Sequence, residues 1–153
     1  MSLEGKVAIV TGAAHGLGRL HALQLAAQGA RIVVNDIGAT VDGSGQDEEP
    51  AQAVVEEIKK AGGEAIAHFG DVADWNGAKA LIQKAVDHFG DMNILVNNAG
   101  FTRDATIFNM TEEQFDSVVR VHLKGHFCPT KFAADYWRQQ SKAAGGPIYG
   151  RLV

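Results

Sequence analysis

Val7-Ala8-Ile9-Val10-Thr11-Gly12-Ala13-Ala14-His15-Gly16-Leu17-Gly18 is the stretch whose reading decides the fold. Its opening apolar residues, rich in β-branching, predict a short strand buried on both faces. Glycines follow at 12, 16 and 18, and Arg19 to Gln28 then reads as a helix. A strand that breaks into glycines and re-enters as a helix aims free backbone N–H groups and the positive helix end at one point. A pyrophosphate suits that point. Gly12 lets the chain turn, Gly16 lets backbone approach a ligand without a Cβ, and Gly18 lets the helix lie close to the strand. The spacing is G-x-x-x-G-x-G after Thr11, rather than the usual G-x-G-x-x-G of dinucleotide sites.

Outward from this turn, the helix carries Leu20, Leu23, Leu25 and Ala26 toward a core, and Gly29 stops it. Arg31 to Asp36 is a second strand, apolar in its centre. It ends on an acid placed where an adenosine ribose would offer its hydroxyls. A phosphate on that ribose would meet like charge, so the pattern predicts NAD rather than NADP, with His15 beside Gly16 as the one cationic argument the other way. Residues 37–50 read as a long, acidic, glycine-rich connection, either a flap near the adenosine end or a plain insertion. Asp47-Glu48-Glu49-Pro50 then starts a helix to about Ala61, with Val54, Val55 and Ile58 inward and Gly62-Gly63 beyond.

Glu64 to Phe69 is a third strand, with Gly70-Asp71-Val72 at its tip, an acid and an apolar side chain suited to the edge and face of an adenine. A helix over Asn76 to His88 and a strand over Asn93 to Val96 follow, delivering Asn97-Asn98-Ala99-Gly100 to the carboxyl edge. Small and amide residues there let backbone pass close to a ligand while side chains hydrogen-bond. Thr111-Glu112-Glu113-Gln114 is a capping box opening a long helix through about Gln140. Its apolar positions, Phe115, Val118, Val119, Leu123, Phe127, Phe132 and Ala133, exceed what one sheet face needs. A homo-oligomer, dimer or tetramer, is expected from them, with a thick core as the alternative. Arg151-Leu152-Val153 reads as the first residues of a fifth strand.

Composition sets the outer bounds. With 153 residues, 46% hydrophobic and 21% charged, the chain reads as one globular domain with a full core. Its net charge of −4, with acids and bases interspersed, gives no attraction for nucleic acid or an anionic membrane. A lone Cys128 makes no internal disulfide. No signal peptide is evident, and no apolar run approaches the roughly 20 residues that span a bilayer. The expectation is a soluble cytoplasmic protein.

Taken together these motifs resemble the short-chain dehydrogenase/reductase family. Thr11-Gly12-x-x-x-Gly16-x-Gly18 is similar to its cofactor motif, Asp71-Val72 to its adenine contact, and Asn97-Asn98-Ala99-Gly100 to its NNAG signature. Asn35-Asp36-Ile37-Gly38, the acidic insertion and Val121-His122-Leu123-Lys124-Gly125 resemble more narrowly the 3-hydroxyacyl-CoA dehydrogenase unit of multifunctional enzymes and bacterial relatives. The resemblance implies a Rossmann-type doubly wound parallel sheet, three-layer α/β/α, in order 3-2-1-4-5, reaching here only the start of strand five. It also implies hydride transfer between a nicotinamide and a secondary alcohol or ketone, with an acyl-CoA as the favoured substrate. Its cofactor residues carry over to Thr11, Gly12, His15, Gly16, Leu17, Gly18, Asp36, Asp71, Val72, Asn98, Ala99 and Gly100.

That chemistry calls for a tyrosine general acid/base, a lysine that lowers its pKa, and a serine that orients the carbonyl. The family carries these as a serine followed by Tyr-x-x-x-Lys on and after the fifth strand. Neither tyrosine here makes the motif: Tyr136 and Tyr149 are followed four residues on by Gln140 and Val153. Residues 1–153 are therefore expected to form a dinucleotide-binding domain that turns over no alcohol alone. His122 is the one catalytic candidate, standing where many relatives place an asparagine that kinks the helix and holds a relay water; a simply packed histidine is the alternative.

Other readings compete. His122 and His126 stand at i and i+4, a metal-binding spacing, but Leu123 replaces the glutamate of the protease pattern and no third ligand is evident, so no metal is expected. A methyltransferase shares the strand, glycine loop and ribose acid but predicts no NNAG. A non-catalytic dinucleotide-sensing module fits the missing trio. A phosphate-loop NTPase is excluded, because G-x-x-x-x-G-K-[ST] does not occur.

Overall fold

The computed structural model describes residues 2–38 and 48–153. Residues 39–47, the middle of the acidic connection, lie outside the described residues, so the choice between flap and insertion does too. Five strands, β1 (Val7–Thr11), β2 (Arg31–Asn35), β3 (Ala65–His68), β4 (Ile94–Val96) and β5 (Arg151–Leu152), form one sheet. Their order is β3-β2-β1-β4-β5 and every pairing is parallel. Arg151 and Leu152 pair with Ile94 and Leu95, so the expected fifth strand does begin there.

The strands lack polar alternation because both faces are covered. On one face Ala8, Val10, Ile32, Val34, Ala65, Ala67, Ile94 and Val96 pack against α1 (Gly16–Ala27) and α2 (Glu49–Lys60). On the other, Val7, Ile9, Val33 and Leu95 meet α3 (Trp75–Phe89) and Ala133 of α5 (Gly125–Ala144). Successive residues of one strand thus feed two separate cores, which makes the molecule three layers deep. Asp74 caps α3 by accepting from the Gly77 N–H, and Gly90, at φ +81°, ends it. Tyr136 and Trp137 of α5 bond to Asp91 and the Met92 carbonyl, fixing the last helix to the lead-in of β4.

Three local readings shift. The first helix starts at Gly16, not Arg19, so two glycines of the turn belong to its first turn. Leu20 is 51% exposed, and Gly18 and Ala22 are the buried positions of that helix instead. The capping box is formed as expected: Thr111 Oγ1 accepts from Gln114 N, and Gln114 Oε1 accepts from Thr111 N. The long helix behind it is interrupted, however. It runs as α4 (Glu112–Val119), a π-helical turn over Arg120–Lys124, and then α5. Two residues of that wide turn are tied to other elements, Arg120 to Asp71 and His122 to Phe101. Four residues into α5, Pro129 lacks the N–H that would bond the Gly125 carbonyl.

Candidate functional site

The carboxyl ends of the central strands meet where the order steps from β1 to β4, the crevice in which open parallel sheets bind ligands. Helix α1 opens onto it. Its first N–H groups have no intrahelical partner, the N-cap His15 makes no side-chain bond to them, and no acid stands in the first turn. Gly16, at φ +50°, has no atom within 4 Å of where a Cβ would stand. A Cβ at Gly18 would instead lie 2.1 Å from the Gly12 carbonyl oxygen and 2.5 Å from Asn98 Nδ2, and one at Gly12 would lie 2.8 Å from Ala99 Cα. Two glycines serve close packing and the third faces open space. An anionic diphosphate fits that cradle on both counts, N–H groups and room.

Thr11 is fully buried and stitches the motif to the next strand. Its hydroxyl donates to the Val96 carbonyl at 3.2 Å and accepts from the N–H groups of Asn98 and Ala99 at 2.9 and 3.0 Å. Asn98 returns the link, donating from Nδ2 to the carbonyls of Thr11 and Gly12. The Asn98 amide donors therefore hold the glycine turn, which leaves the backbone of this run to face a ligand. Leu17 is exposed at the helix start, and Gly100 is exposed under the ring of His122, whose Cε1 lies 2.5 Å from an ideal Gly100 Cβ.

Asp36 stands one residue past β2, within reach of the glycine turn. Oδ2 accepts from Ala14 N at 3.0 Å and Oδ1 from Gly38 N at 3.0 Å. The acid thus anchors the turn as well as lying beside it. Asp71 is similarly engaged: Oδ1 accepts from Ala73 N at 2.7 Å and Oδ2 from Arg120 Nη2 at 2.5 Å. Val72 beside it is buried, against Gly125.

Sequence reading passed over the support beneath this edge. Asn35, buried at the end of β2, donates to the carbonyls of His68 and Gly70, and its Nδ2 lies 3.1 Å from His68 Nδ1. Gly70 N donates to the same nitrogen. His68 Nδ1 is thus an acceptor, and burial, then Lys84, lowers this ring from 6.5 to about 4. The only sequence signal was two polar residues at the ends of apolar strands.

His122 Nε2 lies 2.9 Å from the Phe101 carbonyl and 3.2 Å from the Phe101 N–H. It donates to the first when it carries a proton and accepts from the second when it does not. His126 Nε2 lies 3.1 Å from the Ala99 carbonyl. Both histidines thus grip the backbone around Gly100. Among the described residues no group of three His, Cys, Asp or Glu side chains is placed to hold a metal. Tyr136 is far from acid/base duty: burial and its bond to Asp91 push the phenol up to about 12, opposite to what proton transfer near neutrality needs.

A parallel sheet in this order, with a glycine-turned, uncapped helix at its switch point, defines a Rossmann-type dinucleotide-binding fold. The chain belongs to the short chain dehydrogenase family, whose model matches residues 6–148. It is 49% identical over 152 residues to a hydroxyacyl-CoA dehydrogenase of Mycobacterium tuberculosis, covering 99% of this chain and 46% of that protein. It is 46% identical to peroxisomal multifunctional enzyme type 2 of Drosophila melanogaster, covering 98% of this chain and 23% of that one. The crystal structure of a short chain dehydrogenase from Mycobacterium avium superposes with a TM-score of 0.87 at 56% identity, covering 97% of this chain and 52% of the other. The chain thus spans about half or less of each of these proteins. Among the described residues no helix is long and apolar enough to cross a membrane.

Proposed function

We propose that residues 1–153 are the dinucleotide-binding domain of an NAD-dependent oxidoreductase that moves hydride between the nicotinamide and a secondary alcohol or ketone. The substrate is a 3-hydroxyacyl-CoA, a reading supported by similarity to the Mycobacterium tuberculosis hydroxyacyl-CoA dehydrogenase. The observation that carries the cofactor half is the uncapped N-terminus of α1 opening beside Asp36. Gly12, His15, Gly16, Leu17 and Gly18 receive the diphosphate, Asp36 the adenosine ribose, Asp71 and Val72 the adenine. Thr11, Asn98, Ala99 and Gly100 form the floor toward the nicotinamide. Bound NAD supplies a hydride acceptor; His122, beside the Gly100–Phe101 backbone, is the catalytic candidate, at the position where many relatives hold a relay water with an asparagine. Asp36 supports NAD over NADP because a ribose phosphate would meet its charge. The protein works in the cytoplasm as a homo-oligomer, through the apolar face of α4 and α5.

Calorimetric titration of the chain with NAD, NADP and S-adenosylmethionine tests this. NAD should bind, NADP at least about tenfold more weakly, and Asp36→Ala should narrow that gap. Binding of S-adenosylmethionine without NAD would transfer the site to methyl chemistry. Residues 1–153 hold neither the family's Tyr-x-x-x-Lys nor the serine that precedes it, so a second reading, for these residues alone, is a dinucleotide sensor that binds without turnover. The 153-residue chain should oxidise no 3-hydroxyacyl-CoA; turnover would remove the need for that trio.

A further inference from the structure

Arg120 enters the site from an element no cofactor motif touches. It opens the π-helical turn and reaches a residue 49 positions earlier, Asp71 at the tip of the β3–α3 connection. The backbone beneath Asp71 is already held, because Asn35 bonds the Gly70 carbonyl and His68 Nδ1 accepts from the Gly70 N–H. What remains free is rotation of the carboxylate. The Ala73 N–H on Oδ1 and the Arg120 guanidinium on Oδ2 fix it from two sides.

Both partners of the ion pair are partly exposed, so it adds little to folding stability. Its effect is on chemistry. A guanidinium only donates, so its bond to Oδ2, with the Ala73 N–H on Oδ1, holds the carboxylate in one rotamer with its oxygens as acceptors. Each carboxylate oxygen retains a second lone pair for a ligand. An acceptor-only edge at this position takes the exocyclic amine of adenine and repels the carbonyl that hypoxanthine carries in its place.

We propose that Arg120 is a positioning residue that orients the Asp71 carboxylate and so sets selectivity for an adenine over a hypoxanthine dinucleotide. This rests on the dinucleotide reading above. Binding of NAD and of nicotinamide hypoxanthine dinucleotide is measured for the unsubstituted chain, Arg120→Gln and Arg120→Lys. Arg120→Gln should weaken NAD about tenfold while leaving the hypoxanthine analogue within about twofold, and Arg120→Lys should recover part of the preference. The melting temperature should move by no more than about 2 °C, as for a surface pair. An unchanged NAD-to-analogue ratio in Arg120→Gln, or equal loss of both ligands, overturns the role of Arg120 and leaves the dinucleotide site standing. Failure of the unsubstituted chain to bind either dinucleotide overturns both.

Discussion

His68 carries a proton-dependent term in stability that its neighbours impose. Its Nδ1 accepts from the Gly70 N–H, and burial, then Lys84, lowers the ring to about 4. In the unfolded chain the same ring takes a proton near pH 6.5. Between those values the unfolded state binds more protons, so stability is full above about pH 6.5 and falls as pH drops toward 4. The loss should reach roughly 1–3 kcal/mol and then level off. His68→Asn, whose amide oxygen can replace Nδ1 as acceptor, should flatten this stretch. Urea midpoints at pH 7 and pH 4.5 for both proteins decide it; parallel losses in the two would assign the pH dependence to other groups. Thr11 is the complementary case, a buried residue without charge whose single hydroxyl serves two N–H groups and one carbonyl.

At the level of one element, α1 shows how two glycines of a single motif do unlike work. Gly18→Ala should fold poorly, because its Cβ would meet the Gly12 carbonyl at 2.1 Å and backbone cannot give way there cheaply. Gly16→Ala meets no atom and faces only the strain of φ +50°, about 1 kcal/mol. The second variant should therefore melt close to the unsubstituted chain yet lose most of its NAD affinity, since the added methyl enters the space proposed for the diphosphate. Equal damage to folding from both, seen by circular dichroism melts beside NAD titrations, would refute this division. The π-helical turn is the second irregular element. By interrupting the helix it lets Arg120 face one loop of the site and His122 the other.

For the molecule as a whole, the two covered sheet faces leave an apolar row on the last helices uncovered. Phe115, Val119, Leu123 and Phe127, spaced by four across α4, the π turn and α5, are all exposed. Steps of four drift round an α-helix of 3.6 residues per turn, and the wider π turn offsets that drift. Two phenylalanines and two aliphatic residues exposed in such a row suit an interface between copies. Sedimentation at micromolar concentration should show a species heavier than one chain, and the pair Phe115→Glu and Phe127→Glu should reduce it to monomer. A monomeric unsubstituted chain would rule this face out.

By itself the sequence determined most of the strand and helix series and the glycine turn. These depend on neighbours within a few residues: β-branched runs, a 3.6-residue period, capping residues and glycines that end helices. It also pointed to Asp36, Asp71 and the Asn97–Gly100 run, because their residue types fall at strand ends. Only the tertiary structure decided what those side chains hold. Asn98 bonds the Thr11 and Gly12 carbonyls, Asp36 the Ala14 N–H, Asp71 the Arg120 guanidinium, and Asn35 the His68 loop. Each link joins residues 22 to 87 positions apart, through strand order and helix packing that no local pattern encodes. The π turn belongs with them: Val119 to Gly125 reads as ordinary helix, and its widening coincides with contacts to Asp71 and Phe101 that exist only once the sheet has brought those residues alongside.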